Sequence, residues 1–473
     1  MSNFYTIATH LSNFFTKALK KSFLFTIIFG VCKFFETQWV NSYFKQLYPS
    51  ENFLSILKRN KIIANHVFGP TIVILLFAIF LILSLNPVSL DLQINIAIAF
   101  ISFFIGSMIL PYYFFNNKKF NKKNLENNKN EEYQKNHPKD LENNKNEEYQ
   151  KNKNHLNKNN KDKQFSFIKF KDKDIYSIGF CLVLIGVIFF FLSVSSVGGI
   201  PLLKPSLRYS LKPFLTMPVF LMIPGIGLIA ASYLNKFKKQ LMSRSQARFR
   251  FVLLLAISSF FLFALGYRTP LIAVLIMMII IGYYGKILAL WEVVIGALIG
   301  LGTVIGLGYF RSLGELMITT NTSPLYSLQS RADFTLNVLN LLNHISGDFG
   351  LKHGALTLSS IPGSELGPRM TIGKLIAWRT EVTVTPTLIG PMIVDFGRFG
   401  VAIGMGLLGF ILGTGYKILQ KTKDSFYIAL YAVLLSYTIL GIETGILDIQ
   451  VIVYFILGSL LYLANILHFS KNS

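Results

Sequence analysis

The sequence predicts an all-α, polytopic integral membrane protein of about ten transmembrane helices with one large extracytoplasmic loop late in the chain. Three observations predict it. Of 473 residues, 52% are hydrophobic and only 15% charged, with a mean hydropathy of +0.49; soluble domains carry about 25% charged residues. The apolar residues collect in ten long stretches, and a bilayer core takes about 20 apolar residues per helix. Finally, the formal charge of +23 sits in alternate connections between those stretches. A strongly basic chain can signal nucleic acid, but lysine-loaded cytoplasmic loops produce the same figure, and no nucleic-acid partner is needed here.

Taken in order, residues 1–61 alternate aromatic and lysine residues at loosely helical spacing, as in amphipathic helices lying on an anionic leaflet, with an extra buried element as the alternative; 22–35 is too short for a comfortable span and lacks a signal-peptide cleavage site. Residues 62–115 hold helices at 68–85 and 94–115. Residues 116–174 switch abruptly to Asn, Lys, Glu and Gln, with LENNKNEEYQKN present twice, at 125–136 and 141–152. That composition cannot offset the entropy of ordering and predicts a disordered cytoplasmic insertion. Residues 175–309 carry helices at 175–194, 214–234, 251–265, 271–284 and 287–309, the third and fourth forming a tight hairpin across Gly266 to Pro270. Residues 310–398 form the long loop, and residues 399–473 carry helices at 399–415, 426–442 and 451–467.

With both termini cytoplasmic, 35 of the 46 cations lie inside and 11 outside, as the positive-inside rule requires of a multi-pass plasma-membrane protein. The two cysteines, Cys32 and Cys181, then fall at or near the cytoplasmic face and offer no disulfide framework. The choice of cation is more informative. Of 35 lysines, 31 are inside, whereas 7 of 11 arginines are outside: Arg208, Arg268, Arg311, Arg331, Arg369, Arg379 and Arg398. Arginine offers a planar, permanently charged fork that grips phosphate oxygens in pairs, so this set points to a phosphate or pyrophosphate ligand at the outer leaflet. The alternative is that these arginines pair with Asp333, Asp348, Glu365, Glu381 or Asp395, or reach lipid headgroups.

Within the long loop, Phe334, Val338, Leu341 and Leu342 share one helical face and Asn337, Asn340 and His344 another, which predicts a helix lying at the membrane interface. The stretch RTEVTVTPTLIGPMIVDFGRFG predicts an extended or re-entrant path into the next span. There is no Walker loop, CxxC pair or close histidine cluster, so neither a metal nor a nucleotide cofactor is expected. Helix interiors are nearly free of charge apart from Glu292, which argues against an ion-coupled transporter.

GGIPLL followed by Arg208, the GYRTP hairpin with Arg268, HGALTLSSIPGSELGPR, and VTPTLIGPMIVDFGRFGVAIG together resemble the Wzy-type oligosaccharide repeat unit polymerases, the archaeal branch in particular. The resemblance covers roughly residues 68–467. It implies a GT-C-like membrane glycosyltransferase, without metal or sugar nucleotide, that joins polyprenyl-pyrophosphate-linked oligosaccharide units at the outer leaflet. A flippase and a chain-length regulator are the partners it suggests. Under it, Arg208 and Arg268 are the first choices to hold pyrophosphate, with Arg379 and Arg369 next. The acceptor hydroxyl needs a base, and Glu381, Asp395, His353 and His344 are the candidates. A ligase using the same donor, and a lipid-linked oligosaccharide flippase, remain as alternative functions.

Overall fold

The computed structural model describes residues 68–84, 87–113, 168, 170–316, 324–361, 363–364, 366–377 and 384–471. The readings of the first 61 residues and of the duplicated Asn/Lys tract lie outside the described residues. Among the described residues the regular structure is helical, without strands. In chain order the helices are α1 (Ile72–Leu83), α2 (Leu90–Tyr113), α3 (Asp172–Val197), α4 (Pro213–Lys238), α5 (Arg244–Ala264), α6 (Arg268–Tyr284) and α7 (Leu290–Leu316). They continue with α8 (Pro324–Ser346), α9 (Ala355–Leu358), α10 (Pro368–Ala377), α11 (Gly390–Thr422), α12 (Ser425–Thr444) and α13 (Ile449–Lys471). Seven of them, α2 to α5 and α11 to α13, are long and apolar enough to cross a membrane, so the chain is a multi-pass membrane protein. Each of the ten apolar stretches falls on a helix, but α1 and α6 are shorter than a full span.

Local signals explain the helix ends. Ser89 caps α2 by accepting from Leu92 N–H; Ser243 and Gln246 form a capping box on α5; Asp424 accepts from Phe426 N–H at the start of α12. Contacts between ends then sort the connections onto two faces. On one, Asp172 accepts from Asn235 and pairs with Lys239, Lys238 donates to Ser425, and Arg248 pairs with Glu292 at 2.8 Å. On the other, Leu202 N–H donates to Ala264 O, Ser84 to Asp333, and Thr387 N–H to Glu443 O. The first face holds the lysine-rich ends; the second holds the arginine-bearing connections.

The core is organised around α12, most of whose side chains are buried, with α4, α6, α11 and α13 packed against it. Near the lysine-rich face Tyr284, Tyr416 and Tyr431 stack their edges together, and the Tyr431 hydroxyl donates to Phe68 O at 2.8 Å. Outward-facing Leu75, Phe191, Phe260, Leu298, Leu407 and Leu460 are exposed, as side chains in contact with lipid tails must be. The approach of α2 to α11 is close enough to require glycine. A Cβ on Gly413 would lie 2.2 Å from Ser107 O, and one on Gly409 2.4 Å from Phe103 O. Small residues at four-residue spacing let two membrane helices touch backbone to backbone. The facing part of α2, Ile105–Ile109, is a π-turn, a feature often found where a helix is bent to function.

Two elements of the long loop differ from expectation or refine it. In α8 the buried side is Ala332, Thr335, Leu336, Val338, Leu339, Leu342 and Asn343, whereas Phe334 and Leu341 are exposed. Two members of the expected apolar face, Val338 and Leu342, are therefore buried and two are not, because the helix packs among α1, α2, α7, α10 and α11. The segment entering α11 is buried over residues 384–395 except at half-buried Met392. It turns, makes a short helical run from Gly390 to Asp395, and breaks at Phe396 and Gly397 before the spanning half begins. Gly397 sits at φ +57° with the Asp348 carbonyl where a Cβ would be, 2.1 Å away.

Candidate functional site

The structure sorts the predicted arginines by their partners. Arg369 pairs with Asp448 at 2.6 Å, Arg331 with Glu443 at 2.7 Å, and Arg398 with Asp348 at 2.9 Å and Asp91 at 3.6 Å. Arg208 is different: among the described residues it makes no ion pair, and its guanidinium lies over the Tyr267 ring, 4.8 Å from the centroid. Such stacking contributes roughly 0.5–2 kcal/mol and leaves the in-plane N–H donors to other partners. The Leu202 to Ala264 hydrogen bond ties the loop of Arg208 to the α5–α6 hairpin, so Arg208 and Arg268 come from adjacent loops. Arg268 is the first residue of α6, and Tyr267 before it provides no side-chain cap. The amides of that first turn, Pro270 excepted, thus add partial positive charge beside two guanidinium groups. Arg379 and Glu381 lie outside the described residues, as does the side chain of Arg311.

A second polar feature lies between α2, α8 and the start of the spanning half of α11. It is a cavity of about 350 Å³ walled by Asp91 and Asn95 of α2, by Asn340, Asn343 and His344 of α8, and by Arg398. The walls are cross-linked: Asn95 donates to Asn343 and Ser89 to Asn340, each at 2.5 Å. Asn95 Oδ1 and Arg398 Nε are buried without a hydrogen-bond partner. Two sequence patterns position these groups. Asp91 and Asn95 are four residues apart on α2, while Asn340, Asn343 and His344 follow the i, i+3, i+4 repeat that puts them on one face of α8, with Gly347 and Asp348 in the turn that leaves its end.

Asp395 and His353 belong to a third arrangement. Asp395 is 1% exposed, and its carboxylate accepts from Leu356 N–H (2.9 Å), Thr357 N–H (2.9 Å) and the Thr357 hydroxyl (2.6 Å). It caps the short helix α9 from outside that helix. His353 is exposed, takes φ +47°, and donates its backbone N–H to Asp395 O at 2.8 Å. Around it the segments Asp348-Phe349-Gly350 and Asp395-Phe396-Gly397 cross backbone to backbone, with Arg398 N–H donating to Asp348 O and Leu351 N–H to Val394 O. Gly350 is needed there, because a Cβ would lie 2.6 Å from the Asp395 carbonyl.

The predicted site residues are thus distributed over several elements: Arg208 with Arg268, His344 in the cavity, Asp395 with His353, and Arg369 in its ion pair. The sequence reading missed Asp91, Asn95, Asn343 and Tyr267. The polar stripes of α2 and α8 were the available signal, hidden because the apolar run of α2 was begun at residue 94, past Asp91. Among the described residues, no group of three His, Cys, Asp or Glu side chains converges as metal ligands would.

Comparison with known proteins bears on the whole chain. Residues 66–455 match the family described as "Putative O-antigen polymerase". The uncharacterized protein MJ0419 of Methanocaldococcus jannaschii is 30% identical over 302 residues, 63% of this chain and 80% of that protein. The uncharacterized protein MJ0420 of the same organism is 28% identical over 298 residues, 63% of this chain and 67% of its own length. No solved structure matches. With a family match running from the residues before α1 into α13, and a multi-pass helical fold beneath it, the chain belongs to the O-antigen polymerase family.

Proposed function

We propose that this protein is a GT-C-like glycosyltransferase that polymerises polyprenyl-pyrophosphate-linked oligosaccharide repeat units, with the arginine-bearing face on the outer side of the plasma membrane and both termini cytoplasmic. Family membership supports polymerisation of repeat units by a membrane enzyme. The observation that carries the choice of donor site is Arg208, a cation stacked on Tyr267 without a carboxylate, next to Arg268 and an uncapped helix start.

In the reaction, an acceptor hydroxyl on one repeat unit attacks the anomeric carbon of the glycan carried by the other lipid. A new glycosidic bond forms, the bond from that carbon to pyrophosphate breaks, and polyprenyl pyrophosphate leaves. Arg208, Arg268 and the first-turn amides of α6 stabilise the negative charge gathered on the leaving group, the role a divalent metal has in sugar-nucleotide enzymes. The hydroxyl proton needs a base beside the leaving group; of the described candidates, His344 lines an accessible cavity, whereas the Asp395 carboxylate already accepts three hydrogen bonds. Arg369, neutralised by Asp448, has a weaker claim on the pyrophosphate. A donor assembled on the cytoplasmic side would require a flippase, and a separate regulator would set chain length.

Removing one preorganised donor from a developing anion costs about 10²–10³ in turnover. Arg208→Ala and Arg268→Ala should therefore each abolish chain extension in cells while membrane abundance stays normal. Normal-length surface polymer in both variants would refute the assignment.

A further inference from the structure

We infer that the cavity between α2, α8 and the spanning half of α11 is a saccharide-binding subsite that takes one sugar residue and prefers a neutral one. It rests on the polymerase reading only for what that sugar is attached to.

Its chemistry excludes the pyrophosphate end of the substrate. Among the described residues Arg398 is the cavity's one guanidinium, and it is already shared between Asp348 and Asp91, so the described charged groups of the wall sum to an anionic surface when His344 is neutral. A phosphate would meet two carboxylates and no uncommitted cation. Apolar lipid chains fit poorly as well, since hydrocarbon laid against the asparagine, serine and charged groups of the wall would strand their hydrogen bonds.

What the wall does offer is hydrogen bonding of both signs at close spacing. Each asparagine amide both donates and accepts, and three of them face one space of about 350 Å³, at the small end of ligand pockets. The side-chain oxygens of Asn340 and Asn343 accept from Ser89 and Asn95, which leaves their amide N–H donors to the cavity, and Asp91 and Asp348 add acceptors on the same wall. A hydroxyl donates and accepts at once, so neighbouring sugar hydroxyls complement such a wall. The Asn95–Asn343 and Ser89–Asn340 bonds fix the two helices at this separation before any ligand arrives, which reduces the ordering that binding requires. His344 on the same wall would then stand beside a hydroxyl of the bound sugar. Rejection of an acidic sugar follows from Asp91 and Asp348, because a uronate carboxylate would add a third negative charge.

The test uses the purified full-length protein in lipid nanodiscs. Saturation-transfer NMR is recorded with free D-glucose, D-galactose, N-acetyl-D-glucosamine and D-glucuronate as probes, alongside product analysis with lipid-pyrophosphate-linked repeat units. Binding of at least one neutral sugar is expected, weakened about tenfold or more by Asn95→Leu and by Asn343→Leu, the scale of losing one or two hydrogen bonds with their partners left buried. D-Glucuronate should bind at least about tenfold more weakly than the best neutral sugar. The partly exposed Asn340→Ala, which lies at the rim and is compared at equal thermal midpoint, decides the matter if the buried variants do not fold. No saccharide contact with the wild type, undiminished binding in the cavity variants, or equal binding of glucuronate overturns the inference. If products still form normally in such a case, the polymerase reading stands without this subsite. Sugar binding that the variants abolish, in a protein that makes no product, keeps the subsite and removes the polymerase.

Discussion

An arginine at a membrane surface normally finds a carboxylate, as Arg331, Arg369 and Arg398 do, so the stacked and unpaired Arg208 is the residue whose chemistry most needs a ligand. If bidentate geometry matters in the adjacent position, Arg268→Lys should lose most of its turnover despite keeping the charge; full activity, measured as product formed per minute, would show that a point charge suffices. Asp395 makes the opposite prediction. Its carboxylate holds three donors, two of which would be buried and unsatisfied in Asp395→Ala, at about 1–3 kcal/mol each. The variant should show a clearly lowered thermal midpoint, whereas an unchanged midpoint with turnover abolished would restore Asp395 as a candidate base. Outward arginines were legible in the sequence because they stood out against a lysine background. Their pairing was legible only in part: Arg398 pairs at 2.9 Å with Asp348, one of the acids the sequence offers, but its second partner is Asp91, some three hundred positions earlier, and not the nearby Asp395.

Among elements, the two halves of α11 and their crossing with the segment after α8 set the geometry of the cavity. Gly397 combines φ +57° with a Cβ position 2.1 Å from the Asp348 carbonyl, so Gly397→Ala should prevent the crossing and reduce the yield of folded protein sharply. Gly302→Ala in α7 is the control, since nothing lies within 4 Å of its Cβ position and alanine favours a helix; detergent-extracted monodisperse yield is the measurement. Helix positions were readable because each apolar stretch is bounded by charge, glycine or proline. The orientation of α8 about its own axis was only half readable, because a helix enclosed by several neighbours has no single apolar stripe for periodicity to find: of the expected apolar face, Val338 and Leu342 are buried and Phe334 and Leu341 exposed. The break in α11 was foreshadowed by its glycines and prolines, but the backbone crossing that demands Gly350 and Gly397 joins segments that only the fold brings together.

For the whole molecule, charge and topology agree: the contacts between helix ends put the lysine-rich connections on one face and the arginine-bearing ones on the other. Cysteines introduced at Lys286 and Lys204 of a chain otherwise lacking Cys32 and Cys181 should react with an impermeant maleimide only after permeabilisation and without it, respectively; the reverse pattern would invert the orientation. Deleting residues 124–163 should leave the polymer length distribution unchanged, because the duplicated tract lacks the apolar content to pack on the bundle. The central claim is that this fold catalyses repeated glycan transfer from a lipid pyrophosphate. Its most direct test is to incubate the purified protein in nanodiscs with polyprenyl-pyrophosphate-linked oligosaccharide and separate the products by size. A ladder spaced by one repeat unit, absent with Arg208→Ala, is the predicted result; substrate recovered at its original size would contradict it.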